Sequence, residues 1–266
     1  MPKGYLNIVL HAHLPYVRHP ESEDYIEERW LFEAISETYL PLLIYFQKLV
    51  DEGVKFKITM NISSPLITML KDPLLQHRYT VYLLERIRLA GKEIRRTKEN
   101  QELNDLAKMY FWNFKEFYEV YQRKYHRDLV EAFKYFQDIG VLEIIACPAT
   151  HGFLPLLNVN PYAVKAQIAV GVDTYTKAFG RPPKGMWLSE CAYIPELEPY
   201  LIQYGIKYVF LETHGIINAN PKPLYGTLAP IVSPQGLVTF GRDSESSKQV
   251  WSSICGYPGD PNYREF

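Results

Sequence analysis

Short apolar runs alternate with helical stretches along most of this chain, and that alternation limits the fold more than any other feature. The runs are YLNIVL (5–10), KFKITM (55–60), LEIIAC (142–147), KGMWL (184–188), KYVFL (207–211) and LVTFG (237–241), with amphipathic segments such as 30–51, 161–179 and 196–204 between most of them. Strand, helix, strand in repetition predicts an α/β fold built on a parallel sheet or barrel. The interval 72–140 carries no strand pattern, is rich in Lys, Arg, Glu and Tyr at helical spacing, and closes on Gly140. It is read as a helical insertion between the second and third strands. With no repeat, low-complexity tract or linker in sight, residues 1–266 are expected to form one barrel domain holding that insertion.

Polar residues follow each predicted strand. His11 and His13 come after the first, Asn61, Ser63 and Ser64 after the second, and Thr150 and His151 after the third. Ser189 and Glu190 follow the fourth, Glu212 and His214 the fifth, Arg242 and Asp243 the sixth. Strand C-termini of a β/α barrel converge on one mouth, where such folds place their active sites. A carboxylate such as Glu190, directly after the apolar GMWL, therefore calls for a chemical reason.

Composition narrows the partners. A formal net charge of -1 sets up no long-range field to attract nucleic acid or an anionic membrane. Three widely spaced cysteines, Cys147, Cys191 and Cys255, with no CxxC pair, suggest neither a disulfide framework nor a structural zinc site, and a reducing cytoplasm is the simplest setting. No window approaches the roughly 18 apolar residues of a membrane span, and the apolar run at the N-terminus is too short for a signal peptide. Aromatic residues make up 14% of the chain, which hints at stacking on the apolar faces of sugars.

Two mechanisms compete for these groups. HAH after a first strand resembles paired-histidine zinc ligation, with His151 and His214 as further ligands, but the two histidines share a side only while the backbone stays extended, and HLPY reads as a turn. The other mechanism is glycosyl transfer through a covalent intermediate. Glu190, framed by Trp187 and Tyr193, would be the nucleophile, with aromatics such as Trp187 as sugar platforms and with histidines and Arg242 donating to sugar hydroxyls and keeping the carboxylate ionised. The plainer readings are that Glu190 merely leads into a helix capped by Ser189, that His11 and His13 organise a loop, and that Trp187 is core. Cys191 lacks a base to make it a nucleophile. Trp30, on an amphipathic segment, is expected to pack.

Three separated stretches, HAHLPYVRHP (11–20), ATHGFLP (149–155) and MWLSECAY (186–193), resemble in order the first three conserved regions of glycoside hydrolase family 57, and within it the 1,4-α-glucan branching enzymes. FGRDSESSKQVWSSICGYPGDPNYREF (240–266) is similar to the same pattern, so the likeness runs through essentially the whole chain. The resemblance implies a (β/α)7-type barrel, incomplete at its C-terminal end, a retaining mechanism without metal or organic cofactor, and an α-glucan such as amylose, starch or glycogen as substrate. It implies Glu190 as nucleophile and His11, His13 and His151 lining the subsite of the transferred sugar. Arg242 and Gly259 inherit substrate contacts, and Trp251 an aromatic on the acceptor side.

One departure accompanies the match. The family's acid and base is an aspartate in a fourth region beyond GDPNYREF, and the sequence stops at Phe266. Asp243, Asp260 and Glu212 do not match that region, and Asp243 is read as a structural carboxylate paired with Arg242. The expectation is therefore a truncated barrel whose acid comes from a C-terminal portion of the same enzyme. Alternative readings are an α-amylase or 4-α-glucanotransferase of the family, a catalytically silent glucan-binding fragment, and a zinc-dependent deacetylase or amidohydrolase.

Overall fold

A computed structural model of the chain describes residues 4–22, 25–254, 256, 257, 260 and 262. The chain divides into two compact units after Ile144.

In the first unit, β1 (Val9–Ala12) pairs in parallel with β2 (Ile58–Ile62), setting His11 opposite Asn61, and β3 (Leu142–Ile145), at the division, completes the order β1-β2-β3. Between β1 and β2 run α1 (Ile26–Ala34), a π-helical turn at Ile35–Tyr39, and α2 (Leu40–Asp51). Between β2 and β3 run α3 (Ser64–Leu70), α4 (Pro73–Arg96), α5 (Gln101–Glu119) and α6 (Leu129–Asp138). Local chemistry starts these helices: Asp72, Asn100 and Asp128 each accept from backbone N–H groups of the following turn, and Pro73 supplies a preset φ. Apolar faces then close on one another, with Phe46 packed edge-on against Phe136 at 5.6 Å and Tyr39 against Phe133 at 6.4 Å.

The second unit holds α7 (Leu154–Leu157), α8 (Pro161–Phe179), β4 (Gly185–Met186), α9 (Glu198–Gln203), β5 (Tyr208–Leu211), α10 (Thr213–Ile217), β6 (Ile231–Val232), β7 (Val238–Gly241) and α11 (Ser244–Trp251). Its sheet has the order β4-β5-β7-β6, parallel except for the β6/β7 pair, and Ala146 adds an isolated parallel bridge to Met186. Helix α8 shows why the sequence was easy to read there. Asn160 caps it, Pro161 opens it and Gly180 at φ 72° ends it.

The α/β class and the mostly parallel pairing are those the sequence indicates. No closed barrel is formed by the strand pairings of the described residues, in keeping with the incomplete barrel expected. The differences are local. β1 starts at Val9 rather than Tyr5, and Tyr5 and Leu6 stand exposed. The short β6 went unread, because two residues give no period. Trp30, expected to pack, is covered only in part, with 45% of its surface exposed. No helix among the described residues is long and apolar enough to cross a membrane.

One close approach sets the position of the loop after β3. A Cβ built on Gly171 in α8 would lie 2.2 Å from the backbone oxygen of Cys147. Alanine is the better helix former by about 1 kcal/mol, but a backbone carbonyl has nowhere to retreat, and overpacking of this kind costs about 1–3 kcal/mol. Gly171→Ala is therefore expected to lower the thermal midpoint by several degrees, measured by calorimetry, despite its favourable propensity.

Candidate active site

The first unit carries the two early histidines. His11 sits within β1 and is exposed, whereas His13, just beyond the strand, is half-buried and its Nδ1 lies 2.9 Å from Ser63 Oγ. Their ring centroids lie 5.9 Å apart. The loop that follows is held by charge: Arg18 Nε donates to Asp72 at 2.6 Å, and the buried Glu28 carboxylate accepts from the His19 N–H at 2.8 Å and from Arg78 at 2.7 Å. A buried carboxylate is tolerable here because each oxygen has a cationic donor. HLPYVRHP is thus a pinned loop, and Asp72 serves it while also capping α4.

The second unit brings Glu190 and His151 together. After β4 the chain makes a short 3-10 turn, Ser189–Cys191, in which Glu190 has φ 55° and Cys191 φ 53°. Two successive non-glycine residues in the left-handed region cost on the order of 1–2 kcal/mol each. The turn is held by the Cys191 N–H donating to Leu188 O at 2.9 Å and the Ala192 N–H to Ser189 O at 3.1 Å. It throws the Glu190 side chain outward, 76% exposed, directly after the buried Trp187, Leu188 and Ser189. Ser189 does not cap a helix; its Oγ has no hydrogen-bond partner among the described residues.

His151 is a third left-handed residue, at φ 57°. Its Nε2 lies 3.9 Å from Glu190 Oε1, beyond hydrogen-bond length, and its Nδ1 lies 3.0 Å from the Sγ of buried Cys147. Helix α8 fixes this loop through Gln167: its backbone oxygen accepts from Ala149 N at 2.8 Å, its side-chain oxygen from Thr150 N at 3.0 Å, and its amide donates to Thr150 Oγ1 at 2.8 Å. Burial lowers the His151 pKa, favouring the neutral ring.

Beside them, at the C-terminal ends of β4, β5 and β7, stand Trp187, Glu212 and Arg242. The Arg242 guanidinium lies 5.8 Å from the Trp187 ring centroid and forms an ion pair with Glu212. Trp187 packs on Phe210 at 6.2 Å with 9% of its surface open, so it supports the arginine more than it offers a platform. The expected Arg242–Asp243 pair gives way to Arg242–Glu212. Asp243 instead caps α11, accepting from Ser246 N at 2.8 Å and Ser246 Oγ at 2.6 Å, which lowers its pKa. Burial pushes the Cys191 thiol up to about 11, so it is no nucleophile.

The remaining expected residues spread out. Trp251 ends α11 and is 64% exposed, His214 is exposed on α10, and Gly259 lies outside the described residues. Among the described residues no three His, Cys, Asp or Glu side chains gather to hold a metal ion. Sequence reasoning missed Cys147 and Gln167. The CPATH spacing was visible, but only a left-handed His151 turns it into a contact.

Comparison with known proteins adds a second line. A family model described as Glycosyl hydrolase family 57 matches residues 7–259. A 1,4-alpha-glucan branching enzyme of Thermococcus kodakarensis is 38% identical over 291 residues, covering 99% of this chain and 42% of the relative. The crystal structure of an alpha-amylase from Thermotoga maritima is 47% identical with a TM-score of 0.92, covering 99% of this chain and 50% of that one. That of a branching enzyme from Pyrococcus horikoshii is 36% identical with a TM-score of 0.88, covering all of this chain and 51% of that one. The chain thus spans about half the length of these relatives, or less.

Two consequences of the geometry are measurable. Because burial depresses the His151 pKa below its unfolded value near 6.5, the unfolded state takes up a proton first as pH falls. The native stability His151 contributes is present above about pH 6.5 and declines below it. Thermal midpoints of the protein and of His151→Gln, compared from pH 7.5 to 5, should show the wild type losing ground toward the acid end. Glu190→Asn, placing a residue that tolerates the left-handed region at this exposed site, should raise the midpoint by about 1–3 °C.

Proposed function

Because the chain belongs to glycosyl hydrolase family 57, we propose that it is the nucleophile-bearing part of a 1,4-α-glucan branching enzyme acting on amylose, starch or glycogen. The observation that carries this reading is Glu190, an exposed carboxylate thrown out by a strained turn at the end of β4. Backbone strain held at an exposed carboxylate, with a histidine beside it, fits a functional constraint.

In this reading a Glu190 oxygen attacks C1 of the donor sugar while the C1–O4 bond breaks and O4 takes a proton. The 6-hydroxyl of an acceptor glucan then attacks C1, releases Glu190 and gives up its proton. Two displacements retain the α configuration and leave an α-1,6 bond. His151 faces the nucleophile, and His11 and His13, by their match to the family's first region, contact the donor glucan. Arg242, held by Glu212 against Trp187, donates to sugar hydroxyls. Gly259 contacts substrate by its match to the family, and Trp251 serves the acceptor side.

The acid and base is a carboxyl group outside these 266 residues, in a further portion of the same enzyme. Three acidic groups of the same unit are engaged: Glu212 with Arg242, Asp243 as a helix cap, and buried Glu198 accepting from Tyr193 OH and from Ser233 Oγ at 2.8 Å. Residues 72–140 are read as an insertion in the catalytic domain, and the setting as a cytoplasm in which glycogen is built.

A second reading, hydrolysis, is favoured by the 47% identity to a structure described as an alpha-amylase. The protein incubated with amylose decides between them. Branching gives α-1,6 anomeric signals by proton NMR with little rise in reducing ends; hydrolysis gives reducing ends without new branches. Glu190→Gln should lower either activity on the order of 10⁴-fold.

A further inference from the structure

We propose that Cys147 is a positioning residue: its thiol donates a hydrogen bond to Nδ1 of His151 and so fixes the imidazole as the tautomer whose proton is on Nε2, facing Glu190. Cys147 is 1% exposed, and its Sγ lies 3.0 Å from His151 Nδ1. The opposite ring nitrogen, Nε2, is 3.9 Å from Glu190 Oε1. A neutral imidazole has one donor and one acceptor nitrogen, and whatever bonds to one decides the other.

Two arrangements are conceivable. If Nδ1 carried the proton, the buried S–H would be left without this acceptor and the lone pair of Nε2 would point at a carboxylate, two unfavourable terms together. If Nε2 carries it, the thiol donates to a bare Nδ1 and an N–H faces the carboxylate. Burial raises the Cys147 pKa and keeps the sulfur protonated, and lowers that of His151 and keeps the ring neutral, so both groups hold the charge state the second arrangement requires.

The contact is also rigid. Ring and thiol lie on one short loop tied to α8: Cys147 O is where a Cβ on Gly171 would collide, Ala149 and Thr150 are bonded to Gln167, and the His151 N–H donates to Pro148 O at 3.0 Å. A hydrogen bond behind a site group orients it only if its own support is fixed. At 3.9 Å the Nε2–H does not bond directly to Glu190; it is placed to donate to the carboxylate or to a sugar hydroxyl that arrives between them.

The tautomer is argued from the Cys147–His151 contact, whereas its value to catalysis rests on Glu190 being the nucleophile. Nitrogen-15 NMR of the histidine rings separates the two. In the protein labelled at histidine, with His151 assigned by the signal lost in His151→Gln, a bare Nδ1 and a protonated Nε2 are expected. Cys147→Ala should erase that preference and lower turnover about 10-fold, while Cys147→Ser, which keeps a donor, should preserve the ring pattern and recover most of the rate. A protonated Nδ1 in the unmodified protein, or an unchanged ring pattern in Cys147→Ala, overturns the proposal. If Cys147→Ala does not fold, the spectra of the unmodified protein and of Cys147→Ser still decide it. A correct tautomer with covalent chemistry on some other carboxylate would leave the proposal standing and remove the functional reading instead.

Discussion

The Glu190 carboxylate stands in solvent at the end of a buried strand because the chain reverses sharply over residues 189–191, with Glu190 and Cys191 in backbone conformations that favour glycine. Glycine at 190 would cost less, but glycine has no carboxylate. The strain is held by what surrounds it. Ala146 O accepts from the Trp187 N–H at 2.9 Å on one side of the turn, and on the other Tyr193 OH donates to Glu198, which also accepts from Ser233. An isolated bridge, a helix start and a β-hairpin therefore fix the two ends of one tight turn.

Electrostatics around that turn are arranged so that the exposed carboxylate is not consumed by an ion pair. Arg242, the cation at the ends of these strands, is paired with Glu212, and the ring facing Glu190 is kept neutral by burial. A nucleophile locked to a guanidinium would have to break that pair before attacking. In the proposed reading the cation holds sugar hydroxyls, with its own charge balanced by a different residue.

Much of this was legible in the sequence, and the limits have physical causes. Strands and helices announce themselves through period and caps, as Asn160, Pro161 and Gly180 do for α8. Polar residues after each strand located His13, His151, Glu190 and Arg242 because strand ends are where a parallel sheet places them, whereas β1 runs on to Ala12 and takes His11 into the strand. Asp243 carried a readable helix-cap pattern with Ser246 that was passed over for its neighbour Arg242. The left-handed conformations of His151, Glu190 and Cys191 had no signal at all, since none is glycine, and the contacts Arg242–Glu212 and Cys147–His151 depend on pairing and backbone geometry that residue order does not encode.

The central claim is that a sugar carbon becomes bonded to the side chain of Glu190. Incubating the intact protein with a fluorinated glucosyl donor that forms the intermediate but stalls its breakdown, then mapping the added mass by peptide mass spectrometry, tests this directly. The label is expected on the peptide containing WLSECAY, at Glu190, and to be absent from Glu190→Gln. Label on a different carboxylate, or on Glu190→Gln as readily as on the unmodified protein, would contradict the account.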